Sequence, residues 1–448
     1  MTEHSDIERV QSDLQRLLEQ SDMAALRDYA ADLHPSDIAD LLEHLEDEQS
    51  LGLLHDLPAE LAAETLAEME EVGRPGELLT RLDSSRAAAI LNELADDDAA
   101  DLIGSLPEEE QPRLLSLRRD PTEIEELLHY PEESAGGIMT AELVSLPVGT
   151  TAGRALEEVR RQGSEIEEFY TLFVVHPDQR LLGVVSLPAL VLADPATSIS
   201  DLADEPPAVA RVDMDQEEVG RMLAHYNLAS IGVLDPGDRL VGRITFDDVI
   251  DVLEAETTED LLRFAAVSEE EVVQGSVMDA VKSRLPWLII NLGTATLAGL
   301  VVYLFRDAIE RILVLAAIMP IVAALGGNAG TQALAVTIRR IALEDVTLAD
   351  RRSVVGKEIL VGLTNGMIVG FLSAGVGMLV GVGPLFGLVV LLAMWGNLIV
   401  ASFAGAFFPI LLENIGIDPA VASSVLVTAF TDIIGFFLLL GLASAVLL

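Results

Sequence analysis

Residues 312–338 read ILVLAAIMPIVAALGGNAGTQALAVTI, which is long enough to cross a bilayer, since a membrane span needs about 20 apolar residues. Pro320 lies inside this stretch, and GGNAGTQ follows from Gly326. Proline removes a backbone donor and glycine relaxes a helix, so the pattern predicts an interrupted span. Carbonyls freed there, around Gly326, together with the Asn328 side chain, would offer oxygen ligands to a hydrated cation. Gly326 and Gly330 also form G-x-x-x-G, so helix packing is the competing interpretation.

The charges divide the chain into two parts. The whole chain has a net charge of −46, yet residues 275–448 hold only nine basic and ten acidic side chains. A strongly acidic soluble module therefore precedes an almost uncharged membrane half. The acidity argues against a nucleic-acid partner, and the lack of cysteine excludes disulfides and thiol catalysis. Five apolar stretches predict five spans, at residues 286–305, 312–338, 359–382, 385–412 and 420–448.

The loop between the second and third predicted spans sets the orientation. It carries five basic residues, Arg339, Arg340, Arg351, Arg352 and Lys357. Loops rich in lysine and arginine stay in the cytoplasm. This predicts that the N-terminal module is cytoplasmic and that, with five spans, the C-terminus lies outside. The polar start of the chain, MTEHSDIERV, is not typical of a signal peptide. We therefore expect a multi-pass protein of the cytoplasmic membrane, in contact with lipid.

The fifth predicted span has one ionisable residue, Asp432, at the end of VLVTAFTD. A carboxylate inside a bilayer costs free energy and typically lines a pathway. We predict that Asp432 binds a cation in a pore, with Thr428 and Ala429 in the same site; an acid hydrogen-bonded within the bundle is the alternative. In the third span, three glycines spaced by four residues predict a packing ridge rather than a functional site, namely Gly362, Gly366 and Gly370.

The soluble half contains an internal repeat. Residues 172–185 align with residues 231–244, and each copy reads strand, turn, strand and helix after an earlier strand and helix. This pattern resembles a tandem of CBS domains. The second copy ends in Thr245-x-x-Asp248, similar to the ribose-binding corner of nucleotide-binding CBS domains, so ATP binding at Thr245 and Asp248 stays open. Residues 1–136 read as short amphipathic helices, which predict an α-helical stack.

Acidic residues cluster in this half, and their mutual repulsion would be relieved by a divalent cation. A solvated acidic surface is the alternative for each residue taken singly. The predicted cytosolic sensing residues are Glu64, Asp97, Asp101, Asp213, Asp215, Glu217, Glu218, Asp247, Asp248, Asp251, Glu254, Glu256, Glu259, Asp260 and Asp418.

The whole chain resembles the MgtE family of magnesium channels, most specifically at Pro320, GGNAGTQ, Asp418-Pro419-Ala420 and Thr431-Asp432. The resemblance implies a multidomain membrane protein, with a helical domain (1–136), two CBS domains (137–200 and 201–262), a connecting plug helix (263–284) and five transmembrane helices (285–448). It implies a homodimer in which two Asp432 carboxylates hold hydrated Mg²⁺ at the two-fold axis. It also implies closure by cytosolic Mg²⁺ acting on the plug helices. His225 and Asn227 stand where family members often carry acids.

Three other functions compete with a Mg²⁺ channel. A membrane-tethered nucleotide or ionic-strength sensor would need neither Asp432 nor the Pro- and Gly-containing span. An anion channel is disfavoured, because a buried aspartate without a buried base repels anions. A transporter of another divalent cation fits the same residues. An enzyme is not expected, because the sequence shows neither a nucleophile–base constellation nor a phosphate-binding P-loop.

Overall fold

The structure, a computed structural model, describes residues 29–30, 33–69, 73–163, 166, 169–268, 277–343, 348–379, 383–415, 417, 419 and 423–448. It divides into two compact units, residues 1–254 and 255–448.

The first part of unit 1 is a stack of short helices, as the sequence predicts. Polar caps and prolines set where the helices begin: the Asp83 carboxylate, for example, accepts hydrogen bonds from the amides of Ser85 and Arg86. The helices are α1 (Pro35–His44), α2 (Asp47–Asp56), α3 (Ala59–Ala67), α4 (Arg74–Arg81), α5 (Ser84–Leu91), α6 (Asp96–Gly104), α7 (Gln111–Leu115) and α8 (Thr122–Leu127).

Arginines tie successive helices of the stack together. Arg74 donates to the Leu45 carbonyl at 2.7 Å, just after α1. Arg86 donates to the carbonyls of Leu54 and Leu57, both at 2.6 Å, at the end of α2. The last carbonyls of a helix have no hydrogen-bond partner within it and carry partial negative charge. A guanidinium there donates hydrogen bonds to these carbonyls and places a positive charge beside them.

The rest of unit 1 contains the two copies of the repeat, and the predicted β-α-β-β-α order is confirmed. In each copy the first strand pairs parallel and the last pairs antiparallel with the central strand. The register shifts between Val174 and Val175 and, 59 residues later, between Val233 and Leu234. The elements are β1 (Ser145–Pro147), α9 (Ala152–Gln162), β2 (Thr171–Val175), β3 (Leu181–Ser186), α10 (Leu187–Leu192), α11 (Ile199–Leu202), β4 (Ala210–Arg211), α12 (Gln216–Tyr226), β5 (Ser230–Leu234), β6 (Leu240–Thr245) and α13 (Phe246–Phe264).

One apolar core joins the helical stack to the second CBS copy. It runs from Leu42 and Ile90 in the helices to Ile231 and Ile244 in β5 and β6. The segment before β1 completes this contact, because Thr140 and Arg243 exchange two backbone hydrogen bonds of 2.9 Å. The end of α6 and the start of α13 are therefore held by one continuous packed core.

Unit 2 holds the membrane half. Among the described residues, five helices are long and apolar enough to cross a membrane, so the predicted number of spans and the predicted fold class are confirmed. The span helices are α14 (Val277–Leu304), α16 (Val314–Leu343), α17 (Leu348–Leu379), α18 (Pro384–Asn414) and α19 (Ser423–Leu447), with the short α15 (Arg306–Arg311) between the first two. Over half of the apolar window of α18 is buried, the largest share of the five.

The predicted interruption of the second span is wrong, because α16 continues through Pro320 and GGNAGTQ. Proline removes only its own amide donor, and the glycines serve close contact between helices. A Cβ on Gly330 would lie 2.4 Å from the Val427 side chain, and one on Gly405 would lie 2.3 Å from the Gly330 carbonyl oxygen. The competing interpretation of Gly326 and Gly330 as a packing motif is confirmed, and no break in the helix frees their carbonyls.

The glycine ridge of the third span also packs as predicted. A Cβ on Gly362 would lie 2.7 Å from the Ser402 hydroxyl, and one on Gly366 would lie 3.0 Å from the Trp395 ring. A Cβ on Gly370 would lie 3.0 Å from the Leu391 carbonyl oxygen. These glycines let α17 lie directly against α18.

The connecting helix predicted over residues 263–284 is not one continuous helix. Helix α13 ends at Phe264, and Ala266 adopts a left-handed conformation with φ of 55°. The amide of Val267 then donates to the Leu262 carbonyl, which closes the helix end. Residues 277–284 form the start of α14 instead, and residues 269–276 lie outside the described part of the chain.

Candidate cation and nucleotide sites

Three of the predicted sensing acids come together in unit 1. Asp97 and Asp101 lie one turn apart on α6, and Asp248 lies in the first turn of α13. The charge of Asp248 acts on both of the other carboxyls. The two helices that carry this cluster belong to different domains, the helical stack and the second CBS copy, so one cation there would bridge them.

Burial and mutual repulsion make these acids weaker than usual. Burial, followed by the charge of Asp248, raises the pKa of Asp97 to about 6. Burial, followed by the charges of Asp97 and Glu132, raises the pKa of Asp101 to about 7. Burial also raises the pKa of Asp248, against hydrogen bonds from Thr245. A cation would remove the repulsion and favour the ionised forms.

Asp97 carries the strongest sign of a missing partner. Its Oδ1 atom is buried and has no hydrogen-bond partner among the described residues. An unpaired buried oxygen costs about 1–3 kcal/mol, so an ion or an ordered water at this atom would stabilise the fold. Sequence reasoning missed Arg243, which is 5% exposed and which the charges of Asp248 and Asp97 act on. A lone arginine in an otherwise apolar strand was the signal that could have found it.

The described residues do not form a complete coordination shell. No group of three or more His, Asp or Glu side chains in that part of the chain is placed to hold a metal ion. Mg²⁺ keeps several of its waters and uses one or two carboxylates directly.

Several other predicted sensing acids have local structural roles. The Asp215 carboxylate caps α12 by accepting from the Glu217 amide at 2.9 Å, and Glu217 pairs with Arg221 at 3.0 Å. Glu259 forms an ion pair with Arg263 on α13. Asp213, Glu218, Glu254 and Asp260 are exposed, as is Glu64 on α3, and Glu256 is half-buried. Asp418 lies outside the described residues.

Asp247 and Asp251 extend the cluster along α13. Asp247 is exposed beside Asp248. Burial, followed by the charge of Asp248 and then that of Glu68, raises the pKa of Asp251. Glu68 belongs to the helical stack, so acids of the two domains face each other at this second place too.

The Thr245-x-x-Asp248 motif is a helix cap in this structure. The Asp248 carboxylate accepts from the Thr245 amide at 3.0 Å and from the Thr245 hydroxyl, which is half of a capping box. Thr245 also lines a cavity of about 410 Å³ together with Tyr170, Asn227, Leu228, Ala229, Ser230, Arg243, Phe246 and Asp247. Phe246 and Tyr170 are exposed aromatic rings there, which suits stacking against a nucleobase.

The predicted pore residues lie on α16 and α19 and differ in exposure. Asn328 and Thr428 are exposed, whereas Asp432 and Ala429 are half-buried. Gly326 is buried against α18. Thr428 lies one turn before Asp432, so both side chains share one face of α19. The buried Gly326 backbone is thus separated from the Asn328 side chain, and the two do not form one site.

Sequence reasoning missed two buried polar residues of unit 2. Glu358 is 6% exposed on α17, and it was missed because the predicted third span began one residue later. Asn397 is completely buried at the centre of α18. Its signal was an amide in the middle of a strongly apolar span, which is costly unless it is hydrogen-bonded.

Comparisons with known proteins cover nearly the whole chain. The family model MgtE, described as "Divalent cation transporter", matches residues 319–442. The model "MgtE intracellular N domain" matches residues 33–133, and the CBS domain model matches residues 135–194 and 199–255.

Curated relatives and solved structures agree with these matches. The magnesium transporter MgtE of Thermus thermophilus is 35% identical over 450 residues, 98% of this chain and 99% of the relative. The magnesium transporter MgtE of Enterococcus faecalis is 35% identical over 326 residues, 72% of this chain and 71% of the relative. A crystal structure of the cytosolic domain of the Mg²⁺ channel MgtE in complex with ATP aligns with a TM-score of 0.50 and 38% identity, over 53% of this chain and 98% of that chain.

Proposed function

The chain belongs to the MgtE family of divalent cation transporters, and from this membership we propose that it is a Mg²⁺ channel closed by Mg²⁺ in the cytoplasm. The observation that carries the proposal is the placement of Asp432. It is the only ionisable residue in the described part of α19, 423–448, and it lies half-buried in a membrane-spanning helix. A carboxylate at such depth is typical of an ion pathway.

A second copy of the chain would complete the pore. Asn328 and Thr428 are exposed in the single chain although both lie in candidate spans. Polar side chains do not face lipid without cost, so these faces suit a water-filled path lined by two protomers. Two symmetry-related Asp432 carboxylates would then supply two charges and leave the waters of Mg²⁺ in place. An inside-negative potential drives entry by about 2.3 kcal/mol per charge per 100 mV.

The cluster of Asp97, Asp101 and Asp248 is the proposed sensor. Burial is the first cause of the raised pKa values of Asp97 and Asp101, and the charge of Asp248 on α13 adds to both, so like charges on α6 and α13 repel when no cation is present. Mg²⁺ would bind better when the two helices are close, and such differential affinity shifts the protein toward that state. This unit would lie in the cytoplasm, because the basic loop between the second and third spans is expected to stay there.

The cavity beside Phe246 is proposed as an ATP site. Its two exposed aromatic rings and the Thr245 hydroxyl suit a nucleoside. Arg243 lines this cavity, and the charges of Asp248 and Asp97 act on it. The ATP-bound cytosolic domain of an MgtE channel, which this chain matches with 38% identity, supports the choice of nucleotide.

The pore proposal is tested by Mg²⁺ flux into liposomes that contain the purified protein. Asp432→Ala is expected to abolish flux while the protein still folds and inserts. Asp307→Asn is the matched control, because it neutralises another acid of unit 2 whose side chain is 83% exposed; it should retain flux. Wild-type flux through the Asp432→Ala protein would refute the pore assignment.

A further inference from the structure

The Asn397 side chain lies between the two helices that carry the proposed pore residues. Its Nδ2 atom donates to the Val322 carbonyl of α16 at 3.0 Å. A Cβ added at Gly326 of α16 would lie 2.3 Å from Nδ2, and one added at Gly435 of α19 would lie 2.8 Å from it. The amide is therefore seated against both backbones at two glycines.

The Asn397 amide is only partly satisfied. Its Oδ1 atom is buried and has no hydrogen-bond partner among the described residues, and the residue has no exposed surface. An apolar side chain at this position would leave no polar atom of its own unpaired. Packing alone thus gives no reason for an asparagine here, whereas a directed bond to one chosen carbonyl does.

The position of this bond connects it to the pore. Gly326 lies two residues before Asn328, and Gly435 lies three residues after Asp432. A displacement of either backbone would move a proposed pore side chain. Hydrated Mg²⁺ requires a near-ideal octahedral arrangement, whereas Ca²⁺ accepts variable geometry, so the spacing of pore groups decides between the two ions.

We propose that Asn397 is a positioning residue, whose amide fixes α16 relative to α19 and thereby sets the Mg²⁺ selectivity of the pore. The inference rests on the proposed channel function. Asn397 does not touch the ion itself; it acts through the backbones that hold Asn328 and Asp432. Groups that orient ligands in this way typically change metal affinity or activity by about 10–100-fold when removed.

The test compares Asn397→Leu with wild type in liposomes, with Mg²⁺ and Ca²⁺ supplied separately. Mg²⁺ flux should fall about tenfold or more, and the ratio of Mg²⁺ to Ca²⁺ flux should fall with it. Trp395→Phe is the matched control. It removes another N–H···O bond from α18, of 3.1 Å to the Leu363 carbonyl of α17, and should keep the wild-type flux ratio.

An unchanged flux ratio in Asn397→Leu, or an equal change in Trp395→Phe, would overturn the inference. Absence of Mg²⁺ flux in the wild type would instead overturn the channel proposal. If Asn397→Leu does not fold, Gly326→Ala tests the contact between Asn397 and α16 instead. This added methyl should reduce flux when Asn397 is present and cause no further loss in an Asn397→Ala background. Losses that multiply would contradict the proposed contact.

Discussion

Neutralising Asp97 should stabilise unit 1 when Mg²⁺ is absent. The pKa of Asp97 rises from 3.8 to about 6, first because of burial and then because of Asp248. Each pKa unit corresponds to about 1.4 kcal/mol, so the ionised carboxylate destabilises the fold by about 3 kcal/mol. Asp101 is exposed over more than a third of its surface. Solvent screens its charge, so ionised Asp101 destabilises the fold less than its raised pKa alone implies.

The pH dependence has a defined sign. Folding raises the pKa of this carboxyl, so its protonated form favours the folded state more than the ionised form does. This stabilisation is complete below the unfolded-state pKa of 3.8 and is lost as the pH rises through the folded-state pKa of about 6. Without Mg²⁺, the wild-type unit should therefore become less stable between about pH 4 and pH 7. Asp97→Asn should have a weaker slope and be more stable at pH 8, by up to about 3 kcal/mol.

Urea unfolding of residues 1–264, followed by far-ultraviolet circular dichroism, measures these differences. Asp213→Asn is the control, because Asp213 is exposed, and it should leave the slope unchanged. Added Mg²⁺ should stabilise the wild type more than Asp97→Asn, since binding to the folded state adds to its stability. The reasoning is refuted if Asp97→Asn is less stable than wild type at pH 8 without Mg²⁺.

Three further predictions concern packing, nucleotide binding and feedback. Gly362→Val should destabilise the membrane unit by about 1–3 kcal/mol through overpacking, read as a lower thermal midpoint in detergent than for Gly375→Val, where a Cβ meets open space. Phe246→Ala should weaken ATP binding measured by calorimetry; unchanged affinity would remove the cavity from the proposal. Neutralising the seven acids from Asp247 to Asp260 should leave flux high when internal Mg²⁺ is high, and normal closure would contradict the sensor.

Repetition and spacing made much of the fold predictable. The 59-residue offset identified two copies, and the strands pair with the same register shift in both. The glycine ridge on α17 was predicted because residues four apart share a helix face, and it contacts α18 as expected. Repeats and residue spacings can be seen in the sequence without knowledge of tertiary contacts.

The errors come from contacts that local patterns do not contain. Pro320 and GGNAGTQ predicted a break, but packing against Val427 and Gly405 keeps α16 continuous. The helix after the second CBS copy ends at Phe264, where Ala266 takes a left-handed conformation that an alanine gives no reason to expect. Tertiary packing overrides local propensity in α16, whereas nothing in the structure explains the conformation of Ala266.

The candidate site was predictable as a set of acids but not as an arrangement. Asp97, Asp101 and Asp248 were each proposed, yet 147 residues separate Asp101 from Asp248, and only the fold brings them together. Charge counting could not separate them from Asp215, which caps a helix. Arg243 and Asn397 each gave only the signal of one polar residue in an apolar segment, which is weaker than the repeated patterns that marked the other elements.

Mg²⁺ flux into liposomes, with the ion concentration set separately on each side, is the most direct test of a Mg²⁺ channel closed by Mg²⁺. We expect entry that stops as Mg²⁺ on the side of the acidic unit rises through the millimolar range. Entry that continues at every concentration on that side would contradict the feedback, and no entry under any condition would contradict the channel itself.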